Sequence, residues 1–321
     1  MNFFNSSVFL AIPILSFVVS YLLCKLIISF SHKKGLLDLP NEFRQHDTPT
    51  PYFGGIAIFI ACTVVISIAY LPFSNYSKNI LIYIALFSPF FLIGLIDDIF
   101  KLSSMLKLFL IILASLIPYF IFHLNYKQFF PIFFCLVFFT NAFNLLDNID
   151  GLCASTAIAI LTALSIYNFN FVFLILIFSI LGFLILNLPK AKIFMGDTGS
   201  LLIGAICVLY AFLSMKSSTN MKHGTYLINY LPLFWLPIYD TFSVIIVRTY
   251  ENRSVLIGGK DHFSHRLMKR GMSNSTVIAV LFLITLTAGT VSLFSPPLFS
   301  AELFIFIIAT AGTYELLTRQ K

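Results

Sequence analysis

Eleven apolar stretches divide the chain, near residues 8 to 30, 53 to 71, 79 to 96, 105 to 122, 130 to 146, 153 to 168, 171 to 187, 199 to 215, 228 to 247, 276 to 294 and 299 to 317. Each is close to the roughly 17 to 25 residues that an α-helix needs to cross a bilayer. Hydrocarbon offers no partner for a backbone N–H or C=O, so each segment must satisfy its own hydrogen bonds. The pattern therefore predicts an all-α, polytopic transmembrane bundle of about 11 helices, of which the sixth and seventh are short. Phenylalanine alone supplies 38 of 321 residues and charged residues only 10%, a balance that belongs to membrane proteins. No connecting segment is long enough to bury a core of its own, so residues 1–321 are expected to form a single membrane domain. Repeats and low-complexity tracts are absent. The first stretch has no basic residue ahead of it and no small-residue cleavage site, which predicts a retained helix instead of a cleaved signal. Five cysteines (Cys24, Cys62, Cys135, Cys153 and Cys207), odd in number and without CxxC pairing, indicate neither disulfide nor zinc.

Basic loops stay cytoplasmic, and the eleven spans put the basic residues very unevenly on two faces. One face collects Lys33, Lys34, Arg44, Lys101, Lys190, Lys192, Arg248, Arg253, Lys260, Arg266, Lys269, Arg270, Arg319 and Lys321; the other has Lys78, Lys127, Lys216 and Lys222. The first face is expected to be cytoplasmic, with the N-terminus outside and the C-terminus inside. Asp38, Glu42, Asp47, Asp97, Asp98, Asp147, Asp150, Asp197, Glu251, Asp261 and Glu315 fall on that same face, leaving Asp240 within a span and Glu302 near the outer surface. The net charge of +7 is then no nucleic-acid footprint. Basic residues interleaved with carboxylates on one membrane face suit anionic headgroups and a phosphorylated substrate.

Four segments on that face carry candidate chemistry. Asp97-Asp98 sits where the third span ends, and the two can serve one site only if the helix stops there or if they divide the work; a solvated interfacial pair is the plainer reading. Asn141, Asn144, Asp147 and Asp150 follow at intervals of three at the end of an apolar run. In a regular α-helix they drift by 60° per step, so the four align only if the end tightens toward 3₁₀ geometry, and Asp150-Gly151 belongs in the turn. Polar groups are costly in a bilayer and tend to be functional, although the two asparagines could instead make interhelical hydrogen bonds. Lys192 to Ser200, with Gly196-Asp197-Thr198-Gly199, opens the eighth span. Its glycines allow close backbone approach and its helix N-terminus offers N–H groups to a phosphate; Asp197 could also be only an N-cap. In the longest loop, Gly258 to Leu267 places His262, His265 and Arg266 among basic neighbours that favour phosphate, or simply order the loop. Asp240, one turn after Pro237, is expected to support the structure or the site from behind, on a helix bent by the proline.

Hard oxygen ligands dominate and soft ones are missing, so the metal expected is Mg²⁺ or Mn²⁺. Carboxylates, a divalent cation, a phosphate-type turn and a basic loop at one membrane face describe phosphoryl transfer between a soluble nucleotide and a lipid. A secondary transporter would place its site near the midplane in broken helices of paired repeats, and none is visible.

These residues resemble the polyprenyl-phosphate N-acetylhexosamine-1-phosphate transferases of glycosyltransferase family 4, the group of the MraY and WecA/TagO enzymes. Pro49-Thr-Pro51-Tyr-Phe-Gly54-Gly55 is similar to the family's early Pro/Gly-Gly motif, Asp97-Asp98 to its Asp pair, Asn141 to Leu152 to NxxNxxDxxDGL, and Phe194 to Ser200 to FMGDxGS. Eleven helices with an outside N-terminus look more like the WecA/TagO side than the ten-helix MraY side. The resemblance implies attack by undecaprenyl phosphate on the β-phosphate of a UDP-N-acetylaminosugar, most simply UDP-GlcNAc, releasing UMP at the cytoplasmic face of a bacterial inner membrane. The product would feed a wall, capsule, lipopolysaccharide or teichoic-acid pathway, the MurNAc-pentapeptide step of peptidoglycan being the alternative and a homodimer an open assembly. It further implies catalytic roles for Asp97, Asp98, Asp147 and Asp150, metal binding by Asp97, Asp98 and Asp197, and substrate or phosphate binding by Asn141, Asn144, Lys192, Gly196, His262, His265 and Arg266. Two positions depart from the family pattern. HxHH reads His262-Phe-Ser264-His265, without the middle His, and DGxDG reads Asp147-Asn148-Ile-Asp150-Gly151, with Asn for the first Gly. The CDP-alcohol phosphotransferase signature DGxxAR is absent. Because a phosphate monoester is mostly dianionic at pH 7, Asp97 or Asp98 is expected to position metal and lipid phosphate and not to act as an obligatory base.

Overall fold

A computed structural model describes residues 6–39, 48–71, 76–217, 227–254 and 259–318, all helix and connection apart from one isolated bridge between Asp38 and Thr50. Arg44, Glu42, Asp47, Lys222, Gly258, Arg319 and Lys321 of the sequence reading lie outside the described residues. The helices are α1 (Ser6–Lys34), α2 (Gly54–Tyr70), α3 (Tyr76–Phe100), α4 (Ser104–Ala114), α5 (Ile117–Phe122), α6 (Tyr126–Leu146), α7 (Leu152–Tyr167), α8 (Phe171–Asn187), α9 (Gly196–Ser217), α10 (Leu227–Tyr230), α11 (Trp235–Tyr250), α12 (Phe263–Lys269), α13 (Asn274–Phe294) and α14 (Pro297–Thr318). Among the described residues, 8 helical stretches are long and apolar enough to cross a membrane, and α2, α7 and α8 are shorter apolar helices. The protein is a multi-pass, all-α membrane protein, and each of the eleven apolar stretches appears in it.

Two stretches differ from unbroken helices. The fourth divides at Ser115-Leu116, where the Ser115 hydroxyl bonds back to the Ile111 carbonyl and Pro118 starts the next turn. A proline at the start of a turn lacks only an N–H that would have been unpaired. The ninth is composite: α10 passes through a 3₁₀ turn, Leu231–Phe234, into α11. Pro237 therefore lies in the first turn of α11 and does not bend a continuous helix. Helix starts follow local chemistry, since Ser103, Asn125, Asn170 and Ser273 each accept a hydrogen bond from a first-turn N–H.

Helix α9 forms the centre of the bundle and is almost wholly buried. Small residues bring it there, as they do wherever helices approach closely in lipid. A Cβ on Gly94 of α3 would strike the Asp197 carbonyl, one on Gly55 of α2 would strike Gly199, and one on Gly204 would come within 2.9 Å of Thr140 Cα on α6. The Pro/Gly-Gly segment completes the packing through backbone bonds: Phe194 N donates to Pro51 O at 2.7 Å, while Gly54 N and Gly55 N donate to Phe194 O and Met195 O at 2.9 Å. The ends of α3, α6 and α11 and the starts of α4, α7, α9, α12 and α13 thus meet at one end of the bundle, where the described basic residues of the larger set also lie.

Candidate active site

The end of α3 meets the start of α9 through Asp98. A helix N-terminus leaves its first N–H groups without intrahelical partners, and the buried Asp98 carboxylate takes two of them. Asp197 N donates to its Oδ1 and Thr198 N to its Oδ2, both at 3.0 Å, and Thr198 Oγ1 adds a 2.5 Å bond. Gly196, at φ +71°, makes the turn, and a Cβ there would crowd both Tyr52 O and Asp98. In this structure the first N–H groups of α9 hold a carboxylate, the glycines of the turn sit in close contacts, and Lys192 is exposed. Asp197 does not cap its own helix, because it lies within the first turn of α9.

Asp197 points instead to a cluster that the capping creates. Its Oδ2 receives Lys107 Nζ at 2.5 Å and Asn144 Nδ2 at 2.8 Å. The same ammonium lies 3.1 Å from Asp97 Oδ2, while Asp97 Oδ1 accepts Leu102 N at 2.8 Å. Two carboxylates from α3 and α9 thereby converge on one cation from α4. Sequence reasoning left Lys107 unassigned. The signal was present, because it is a lone charged residue one turn into an apolar run, where a cation needs a partner.

The polar ladder divides among several partners. Helix α6 stays α-helical to Leu146 and the chain turns at Asp147, so the four residues do not form one face. Asn141 donates to Val137 O of its own helix at 2.7 Å, and Asn144 reaches Asp197. Burial, reinforced by the charges of Asp197, Asp150 and Asp98, pushes the Asp147 carboxyl up to about 8. Asp150 accepts Ala191 N at 3.0 Å, and buried Asn187 accepts Gly151 N at 3.0 Å and donates to Ile193 O at 2.9 Å. The α6–α7 turn is thus fastened to the segment that leads into α9.

Helix α12 presents the histidines, and both are buried. Asp240, itself buried, accepts Phe263 N at 2.6 Å and lies 2.8 Å from His262 Nδ1, so it caps α12 from α11 and fixes the ring. That is the supporting role the sequence assigned to Asp240. Burial, with His262 beside it, pushes the His265 imidazole down to about 4. Arg266 is engaged by Glu315 of α14, Ser243 Oγ (2.7 Å) and the Asp261 carbonyl. Arg248 holds Asp261 through two bonds of 2.8 and 2.7 Å, and keeps that carboxyl down at about 2.

A divalent ion of the Mg²⁺ class takes oxygen ligands, typically one or two carboxylates with several waters. Asp97 and Asp197 fit that requirement, since they already converge on a single positive charge. Among the described residues no three His, Cys, Asp or Glu side chains gather as a complete protein cage, and the Asp98 oxygens are turned to the α9 N-terminus.

Residues 80–216, which hold this carboxylate cluster, match glycosyl transferase family 4. A probable undecaprenyl-phosphate N-acetylglucosaminyl 1-phosphate transferase of Bacillus subtilis is 30% identical over 299 residues, 84% of this chain and 81% of the relative. The chain belongs to glycosyl transferase family 4. As a family 4 transferase it transfers a sugar 1-phosphate to a polyprenyl phosphate. An undecaprenyl-phosphate α-N-acetylglucosaminyl 1-phosphate transferase of Thermotoga maritima is also 30% identical, over 83% of this chain and 84% of its own length. A phospho-N-acetylmuramoyl-pentapeptide-transferase of Clostridium beijerinckii is 31% identical over 89% of this chain and 95% of its own.

Proposed function

We propose that this family 4 transferase moves N-acetylglucosamine 1-phosphate from UDP-N-acetylglucosamine to undecaprenyl phosphate, releasing UMP, as the first membrane step of an envelope polysaccharide. The observation that carries the reading is the convergence of Asp97 and Asp197 on Lys107 at one end of a transmembrane bundle. N-acetylglucosaminyl enzymes among the relatives support the sugar. The pentapeptide-transferase relative, matched over 95% of its length, favours a second reading with UDP-MurNAc-pentapeptide as donor. The gathering of basic residues at the site's end supports a cytoplasmic active site, an outside N-terminus and a place in the bacterial inner membrane.

In the reaction, an oxygen of the lipid phosphate, mostly dianionic at pH 7, attacks the β-phosphorus of the donor. A P–O bond forms, the bond from that phosphorus to the bridging oxygen breaks, and its electron pair leaves on UMP. Asp97 and Asp197 would hold Mg²⁺, which when bound would supply positive charge to the diphosphate. Lys107 adds a fixed ammonium beside it. Asn144 orients Asp197, and Asp98 positions Asp197 by holding the start of α9. Asp147 lines the site. His262, with Nδ1 fixed by Asp240, offers Nε2 to a substrate phosphate.

UMP release by purified protein with undecaprenyl phosphate and Mg²⁺, across UDP-GlcNAc, UDP-GalNAc and UDP-MurNAc-pentapeptide, tests the proposal. Lipid-dependent UMP from UDP-GlcNAc alone, lost in Asp97→Asn, is the expected result; release from the pentapeptide donor alone would establish the second reading. Trapping an aspartyl-phosphosugar on Asp97 or Asp98 would overturn the direct displacement.

A further inference from the structure

The two positions at which the chain departs from its family's motifs touch each other. Ser264 Oγ donates to Asn148 Oδ1 at 2.5 Å, and Ser264 is 1% exposed. The Asn148 amide nitrogen donates to Leu145 O at 2.9 Å, so its side chain is held at both ends between the last turn of α6 and the first turn of α12. The bulk exchanged is complementary as well: a carboxamidomethyl group stands where the motif it resembles has a hydrogen, and a hydroxyl where that motif has an imidazole.

We propose that Asn148 and Ser264 form a positioning pair for the transfer reaction, setting the α6–α7 turn that carries Asp147 and Asp150 against the α12 helix that carries His262 and His265. The inference rests on the proposed reaction. Helix α12 is short, and its N-terminus is held at two points, by Asp240 from α11 and by Asn148 from the turn. Asp240 fixes the ring of His262, whereas Asn148 fixes where the whole turn of α12 sits relative to Asp147. Neither residue needs to touch substrate for this.

The test is a pair of double-mutant cycles read by UMP release and by thermal unfolding in detergent. Asn148→Gly and Ser264→His singly are expected to lower kcat by about tenfold or more in protein that is folded at the assay temperature, and the double variant to recover to within about threefold of the natural chain, because contacting residues are not additive. Ser264→Ala, which introduces no bulk, is expected to lose as much as Asn148→Gly, with the double variant losing no more than either. A role in folding alone would change the melting temperature and leave kcat per folded molecule unchanged. Additive losses in both cycles, or single variants with natural kcat, would overturn the pairing. If the natural chain releases no UMP with any donor, it is the proposed reaction that fails, and non-additive melting temperatures still report on the pair.

Discussion

Neighbouring carboxylates on an α-helix point about 100° apart, and at the end of α3 that angle sends Asp97 to Lys107 and Asp98 to the first N–H groups of α9. The two therefore answer differently to the same change. Asp98→Asn weakens a cap and is expected to cost about 0.5–2 kcal/mol of stability along with activity, whereas Asp97→Asn removes one of two like charges and is expected to abolish UMP release without lowering the melting temperature. Thermal unfolding beside the activity assay separates them. Lys107→Met leaves Asp97 and Asp197 facing each other without the ammonium and withdraws its charge from the site. A fall in kcat of about 10²-fold or more is expected, the size seen when one preorganised donor to a developing charge is lost. Asp97, Asp98 and Asp197 were legible in the sequence as carboxylates at the ends of spans on one membrane face. Their division of labour was not, because it depends on where α9 starts relative to α3.

At the scale of elements, α9 is held against α2, α3 and α6 by positions that admit no Cβ. Gly94→Ala places a methyl against the Asp197 carbonyl, so α3 or α9 must shift; overpacking of this kind typically costs about 1–3 kcal/mol. Because the shift begins at Asp197, kcat is expected to fall further than stability, which melting curves and UMP release measured on the same sample will show. The sequence reading assigned Gly196 and Gly199 to a phosphate turn, and in the structure a Cβ on Gly196 would crowd Asp98 while one on Gly199 would strike Met195. A glycine that allows a phosphate to approach and one that allows a helix to approach look the same in a sequence, and only the packing tells them apart. Pro237 is a parallel case: the break in its span is made by the 3₁₀ turn Leu231–Phe234, leaving the proline harmless in a first helical turn.

Across the whole molecule, the buried His265 and Asp261 and the half-buried Asp147 give stability an opposite pH dependence on its two sides. His265 titrates at about 4 in the folded chain against 6.5 as a free side chain, so the unfolded state binds more protons between those values and stability falls as pH drops from 6.5 toward 4. Asp261, held at about 2 by Arg248, extends the acid loss as pH falls further. Asp147, raised to about 8 from 3.8, acts in the other sense: the folded state holds the extra proton, and stability declines as pH rises from 3.8 to 8. Asp147→Asn is therefore expected to melt higher than the natural chain at pH 9, by a margin that shrinks as the pH is lowered toward 4 and is accompanied by loss of UMP release. A margin independent of pH would place the ionisation elsewhere.

By itself the sequence determined that this chain is a helical membrane protein, since continuous apolar runs of roughly 17 to 25 residues match spanning helices and are too long for barrel strands. It also brought Asp97, Asp98, Asp147, Asp150 and Asp197 to one membrane face as candidates for phosphoryl-transfer chemistry. Tertiary structure decided which oxygen faces what. Lys107 meets Asp97 and Asp197, Asp240 meets His262, and Asn148 meets Ser264 across separations of 10 to 116 residues. Spacing along a chain carries no record of such contacts; they exist only once α3, α6, α9, α11 and α12 have been brought to one end by packing.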